Sequence, residues 1–336
     1  MNFNIHALSS LFRCNDNINK NNNINNNNNN SNNNNNNSNN NNGNDSINNN
    51  ISKLASILWK ELVFGGHLFA TGSVSVIMAC ATIFMIPISW DILFVSYLLF
   101  YAIYLYDYSA GASSDELTNE DRARYLQCKN KSKCIVGIAS VILLLVLLTF
   151  TNTVTTLIGM SILIFGLLYG SHFKKLTKKI PAFKNVFVSL VWSFMALFLF
   201  VYYSLPITYG ALMLALFVFI RMMNIQILFD VRDVEGDIAD GLLTIPALFG
   251  ERTYTSILRL INLVSIVFII LCVILGLLPF FTLAIMPIFY YAVTYIDRVT
   301  ESKKKYSSYV FAACEPIMWS LLIFAGKFIA MFNIMA

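Results

Sequence analysis

Nine apolar runs, each close to the length of a membrane crossing, constrain this chain more than any other feature. They fall at 67–88, 91–107, 134–150, 153–170, 185–204, 207–229, 254–277, 279–296 and 308–331. About 20 helical residues cross roughly 30 Å of hydrocarbon, and a helix pairs every backbone N–H and C=O within itself, as a medium without water requires. The chain therefore reads as all-α, a polytopic bundle of nine transmembrane helices. With 57% hydrophobic residues, 12% charged residues and a mean hydropathy of +0.61, a water-soluble fold is excluded. The net charge of +5 implies no nucleic-acid partner, because the basic residues lie in short runs between the apolar segments and form no stripe on a soluble face.

Those basic runs alternate. Arg122, Arg124, Lys129, Lys131 and Lys133 follow the second run, and Lys174, Lys175, Lys178, Lys179 and Lys184 follow the fourth. Arg232 and Arg252 follow the sixth, and Arg298, Lys303, Lys304 and Lys305 the eighth. The odd-numbered loops carry neither Lys nor Arg. By the positive-inside rule the amino terminus and the even loops are cytosolic, and membrane lipid surrounds the rest. The even loops are also the long ones, so function is expected on the cytosolic face.

Three domains are expected. Residues 1–50 hold an asparagine-rich tract with too little apolar surface to offset the entropy of ordering, and are expected to be disordered. Residues 51–66 mix apolar and basic positions at helical spacing and are expected to lie along the membrane interface. Residues 67–331 form the membrane domain. The six cysteines show no CxxC pair and no histidine at metal spacing, which argues against zinc and against a disulfide framework.

Two acidic clusters stand at the ends of even-numbered spans. The sixth ends in Asp230, Val231, Arg232, Asp233, Val234, Glu235, Gly236 and Asp237. If the helix continues, Asp230, Asp233 and Asp237 share one face. Carboxylates that close repel unless a cation sits among them, and oxygen ligands of this kind suit magnesium. The alternative is a solvated helix end with Arg232 as a local ion-pair partner. After the second span come Asp107 and, eight residues on, Asp115, about 80° apart around a helix and able to point into one opening.

The run DVRDVEGD at Asp230–Asp237 resembles the second aspartate motif of the UbiA superfamily of intramembrane prenyltransferases. Arg221, Asn224 and the stretch GLLTIPALFGER at 241–252 continue the likeness, as does YGSHFKKLTKKIPAFKN at 169–185. The resemblance covers about residues 65–330. The first motif departs from the family pattern NDxxDxxxD: Asp107 stands where asparagine would, Tyr108 and Gly111 where aspartates would, and Asp115 matches.

The resemblance implies an enzyme that ionises a prenyl diphosphate with magnesium and transfers the prenyl group to a hydroxylated aromatic or lipid-like acceptor. Asp107, Asp115, Asp230, Asp233 and Asp237 would be the catalytic, metal-holding carboxylates. Tyr169, Lys174, Lys184 and Arg232 would contact the diphosphate. A membrane terpene cyclase of the same superfamily, which folds the cation onto itself, is the nearest rival. A transporter or scaffold is a more distant one, since the acidic residues cluster at the interface and not at the midplane. Within the spans, Arg221 is expected to pair across helices, with Glu315 as a candidate partner.

Overall fold

The computed structural model describes residues 42–111, 120–128, 132–301 and 306–335, and among these every regular element is a helix. Asp115 and residues 1–41 of the asparagine-rich tract lie outside the described residues. Two compact units are distinguished, Met1–Leu58 and Trp59–Ala336. Of the first, the described part is the leading stretch of α1 (Asn42–Phe64), on which Ile51, Leu54 and Leu58 are exposed at helical spacing.

The second unit is a helical membrane bundle. After the end of α1 come α2 (His67–Phe84) and α3 (Trp90–Gly111), then the short α4 (Glu120–Cys128). Next are α5 (Ser132–Phe150), α6 (Thr153–Ser171), a 3-10 turn over Phe173–Lys178, and α7 (Phe183–Tyr202). The long α8 (Tyr209–Ala239), a single turn α9 (Ile245–Leu248) and α10 (Glu251–Ile274) follow. A second 3-10 turn at Phe280–Ile285, α11 (Pro287–Glu301), α12 (Tyr306–Ala313) and α13 (Glu315–Met335) complete it. Eight helical segments among the described residues are long and apolar enough to span a membrane, counting Phe280–Glu301 as one.

The fourth predicted span, 153–170, forms α6, but its apolar part is Thr153–Tyr169, 17 residues and so about 26 Å of rise, before Gly170 and Ser171 end it. The predicted span 308–331 is divided. Pro316 has no N–H to donate back along a continuous helix, and the chain breaks at Cys314, whose own N–H bonds to Val310 O at 3.1 Å and Phe311 O at 3.3 Å.

Burial orders the bundle. In α2 and α8, 67% and 61% of the spanning residues are buried, whereas α5 and α13 bury only 22% and turn most of their surface to lipid. Helix α7 packs along α8, α3 along α5 and α6, and α13 along α2. One buried polar network crosses this core. Arg221 on α8 donates from Nε to Glu315 Oε1 at 2.8 Å and from Nη2 to Oε2 at 2.6 Å, joining α8 to α13 as expected from sequence. Its Nη1 reaches Asn262 and Ser265 on α10 at 2.6 and 3.1 Å, and both ionic side chains are wholly buried. At the opposite end of the bundle from the acidic motif, Tyr202 bonds to Asp91 and Tyr203 to Ser89, closing the short odd-numbered turns.

Candidate functional site

Helix α8 is 31 residues long, a rise of about 46 Å, so its last turns run past the roughly 30 Å that hydrocarbon occupies. It therefore carries the acidic motif in helical register, as the sequence spacing requires. The helix stops where Gly241 takes a left-handed conformation (φ 68°), which lets the N–H of Leu242 turn back to Asp237 O at 2.8 Å.

The chain beyond that turn is stitched to the loop between α6 and α7. Leu243 N bonds to Thr177 O at 2.9 Å, and Ala182 N bonds to Leu243 O at 2.8 Å. These two bonds fix the start of α7 beside the end of α8. Lys184 then donates to Asp230 Oδ1 at 2.6 Å and Asn185 donates to Oδ2 at 2.7 Å. Asp230 is fully buried, and the pair with Lys184, whose side chain is 20% exposed, offsets the cost of burying its charge. Thr244, next in the stitched segment, donates to Asp237 Oδ2 at 2.9 Å. Asp233 faces its neighbour Arg232, which donates from Nε and Nη2 to both carboxylate oxygens at 2.7 and 2.9 Å.

A cavity of about 220 Å³ opens among the ends of α3, α7 and α8. Four carboxylates line it, Asp107, Asp233, Asp237 and Asp240, together with three cations, Arg122, Lys184 and Arg232. Tyr169 also lines it; its buried hydroxyl has no hydrogen-bond partner among the described residues. A buried hydroxyl left unpaired costs free energy, so a ligand oxygen arriving there would be stabilising. The inner wall is aromatic. Phe69 stacks on Tyr104 with ring centroids 4.3 Å apart, and Trp192 Nε1 donates to the Tyr104 hydroxyl at 2.9 Å.

The structure thus brings Asp107, Tyr169, Lys184, Arg232, Asp233 and Asp237 to one cavity. Asp230 lies behind it with both oxygens taken by Lys184 and Asn185. Asp115 and the side chain of Lys174 lie outside the described residues. Among the described residues no three His, Cys, Asp or Glu side chains converge tightly enough to form a metal site by themselves. Sequence reasoning missed Arg122, Gln226 and Tyr309 as cavity residues. Arg122 is buried with its guanidinium 4.6 Å from the centre of the Tyr108 ring, and Arg232 stands 5.3 Å from that of Tyr309. Asn185 could have been found, because it closes the basic run that contains Lys184.

A family model described as the UbiA prenyltransferase family matches residues 127–322. The matched segment includes Tyr169, Lys184 and the acidic end of α8; Asp107 precedes it. Among solved structures, the chain is similar to an apo UbiA homologue from Aeropyrum pernix K1, with TM-score 0.60 and 15% identity over 79% of this chain and 98% of that one. It is also similar to a UbiA homologue from Archaeoglobus fulgidus bound to DMAPP and Mg2+, with TM-score 0.56 and 12% identity over 80% and 98%. A structure of a digeranylgeranylglyceryl phosphate synthase aligns with TM-score 0.50 and 14% identity over 81% and 97%. At these identities the likeness is one of fold. Among curated proteins, none matches the chain significantly.

Proposed function

Because the chain belongs to the UbiA prenyltransferase family, we propose that it transfers a prenyl group from a prenyl diphosphate to a hydroxylated aromatic or lipid-like acceptor, with the diphosphate held where α3, α7 and α8 end. The family and the eight apolar helices make it an integral, multi-pass membrane protein. On the basic-loop pattern, the cavity faces the cytosol.

The observation that carries this reading is the composition of one cavity: Lys184, Arg232 and the unpaired hydroxyl of Tyr169 stand beside Asp233 and Asp237, above an aromatic wall. Cations and a hydroxyl suit an anionic head, and the wall suits an apolar, transiently cationic tail.

The donor chemistry fits magnesium. Asp107, Asp233 and Asp237 offer one cavity carboxylate oxygens alone, the ligands a hard cation takes. Asp233 and Asp237, with Asp107 in the same cavity and Asp115 a further donor by its spacing, would hold the ion together with the diphosphate oxygens, since no three side chains among the described residues converge by themselves. When bound, magnesium neutralises charge developing on the leaving diphosphate.

The protein's own groups do the rest. Asp230 holds Lys184 at the rim, so the ammonium is already oriented when the diphosphate arrives. Arg232, paired with Asp233, can share its guanidinium with a phosphate oxygen, and Lys174 is proposed from its place in the basic run before α7 as a further contact. In the reaction the allylic C–O bond breaks and its electron pair leaves with the diphosphate. A nucleophilic oxygen or ring carbon of the acceptor then bonds to the allylic carbon and loses its proton to the diphosphate or to water. Phe69 and Tyr104, which line the cavity, with Trp192 bonded to the Tyr104 hydroxyl, would exclude water from the cation and supply aromatic surface beside it.

The test is to incubate membranes containing the protein with labelled prenyl diphosphates, with and without aromatic and lipid-alcohol acceptors, and to identify the products. A prenylated conjugate that forms only with an acceptor is expected. A cyclic hydrocarbon or terpene alcohol formed from the diphosphate alone would replace this reading with the cyclase.

A further inference from the structure

Beside the main cavity lies a smaller one of about 90 Å³, between α3, α6 and α7. The two share Tyr104, Asp107, Tyr169, Lys184 and Gln226, so the small pocket opens from the place proposed for the diphosphate. Its polarity falls with depth. Lys184 is at the mouth, and Val191 and Trp192, two helical turns further along α7, are at the bottom, about 10 Å away. A charged mouth over an apolar floor is the pattern a prenyl diphosphate presents in reverse.

The floor and the side wall are built differently. Phe100 meets Trp192 with ring centroids 4.6 Å apart, and Trp192 is fully buried and tied to Tyr104, so the floor is held on two sides. The wall toward α6 is one aliphatic side chain, Ile103, seated on the backbone of Gly166. A Cβ at position 166 would lie 2.4, 2.6 and 3.1 Å from the Cδ1, Cγ1 and Cγ2 atoms of Ile103, so only glycine leaves Ile103 that place. On α6 the neighbouring Ile164 and Phe165 are each 51% exposed, which makes this wall the thin partition between the pocket and the lipid-facing surface.

We propose that this pocket receives the first isoprene unit of the prenyl tail and that Ile103, seated on Gly166, limits the length of chain the protein accepts. This rests on the function proposed above. A dry apolar cavity of about 150 Å³ accommodates one benzene, so 90 Å³ is room for about one five-carbon unit. The preferred donor is accordingly a short allylic diphosphate, and longer tails bind only when the wall gives way.

The experiment uses the full chain, purified into lipid nanodiscs with magnesium. Affinities are measured for inorganic diphosphate and for five-, ten-, fifteen- and twenty-carbon prenyl diphosphates. The protein is expected to bind the five-carbon compound at least about tenfold more tightly than the fifteen-carbon one, the scale at which apolar pockets reject excess bulk. Ile103→Ala should remove that preference, Ile103→Val should reduce it, and Gly166→Ala, which pushes Ile103 inward, should weaken even the five-carbon ligand. None of the three should change the affinity for inorganic diphosphate. Ile103→Val preserves most of the packing and keeps the test open if Ile103→Ala does not fold. Chain-length profiles of the two Ile103 variants that superimpose on that of the unaltered protein would overturn the proposal, as would equal binding of all lengths, while leaving the proposed function standing. Failure of inorganic diphosphate and of every prenyl diphosphate to bind the folded protein would remove both.

Discussion

Asp230, Asp233 and Asp237 share a few turns of helix, yet each carboxylate answers to a different partner: Lys184 with Asn185, Arg232, and Thr244. Their spacing was legible because a helix repeats its faces every three to four residues. Their division of labour was not, because Lys184 and Asn185 come from a helix more than forty residues earlier. Arg122 and Tyr309 were illegible for the same reason, being brought to the cavity by packing with no local pattern to announce them. Replacing Asp233 or Asp237 by Asn keeps the size but removes a charge proposed to hold the metal and diphosphate. Each change is expected to slow turnover by about a hundredfold or more, a loss of about 2.7 kcal/mol or more of transition-state stabilisation. Asp297→Asn, at an exposed ion pair with Arg259, removes the same charge from the surface and should leave turnover unchanged. Steady-state rates of the three folded variants decide this, and undiminished rates for Asp233→Asn and Asp237→Asn would return the motif to being a mere helix end.

Elements were easier to read than their ends. Apolar length located each membrane segment, since the cost of unpaired backbone in lipid leaves helices as the solution. Their interruptions follow from chemistry that length does not record: Pro316 divides the last segment, and the Gly241 turn carries the chain back toward the α6–α7 loop. What joins the elements is partly ionic. Glu315→Gln leaves Arg221 buried without its counter-charge, and breaking such a pair costs about 3–5 kcal/mol. A large fall in the unfolding midpoint in detergent is expected, with α8 and α13 loosened. Gly210→Ala tests a packed crossing, since its Cβ would sit 2.4 Å from Leu277 O. It should destabilise by about 1–3 kcal/mol, measured in the same unfolding assay; a neutral result would mean that this end of α8 shifts freely.

For the whole molecule, the alternation of basic and uncharged loops predicts which ends of the helices lie together. Single cysteines placed in a cysteine-free background at 124 and 178 should react with an impermeant reagent from the amino-terminal side of sealed vesicles, and one at 152 from the other side. Reaction of 124 and 178 from opposite sides would break the topology on which the shared cavity depends. The central claim, that this cavity holds a metal-bound prenyl diphosphate head, is tested most directly by crystals of the full chain grown in lipid. Manganese would stand in for magnesium, and a thiolo-diphosphate analogue that cannot ionise would occupy the donor site. The account predicts an anomalous manganese peak against Asp233 and Asp237, with the diphosphate within hydrogen-bond distance of Lys184 and its tail directed toward Trp192. A diphosphate bound at another face of the bundle, or a cavity that stays empty at saturating analogue and manganese, would contradict it.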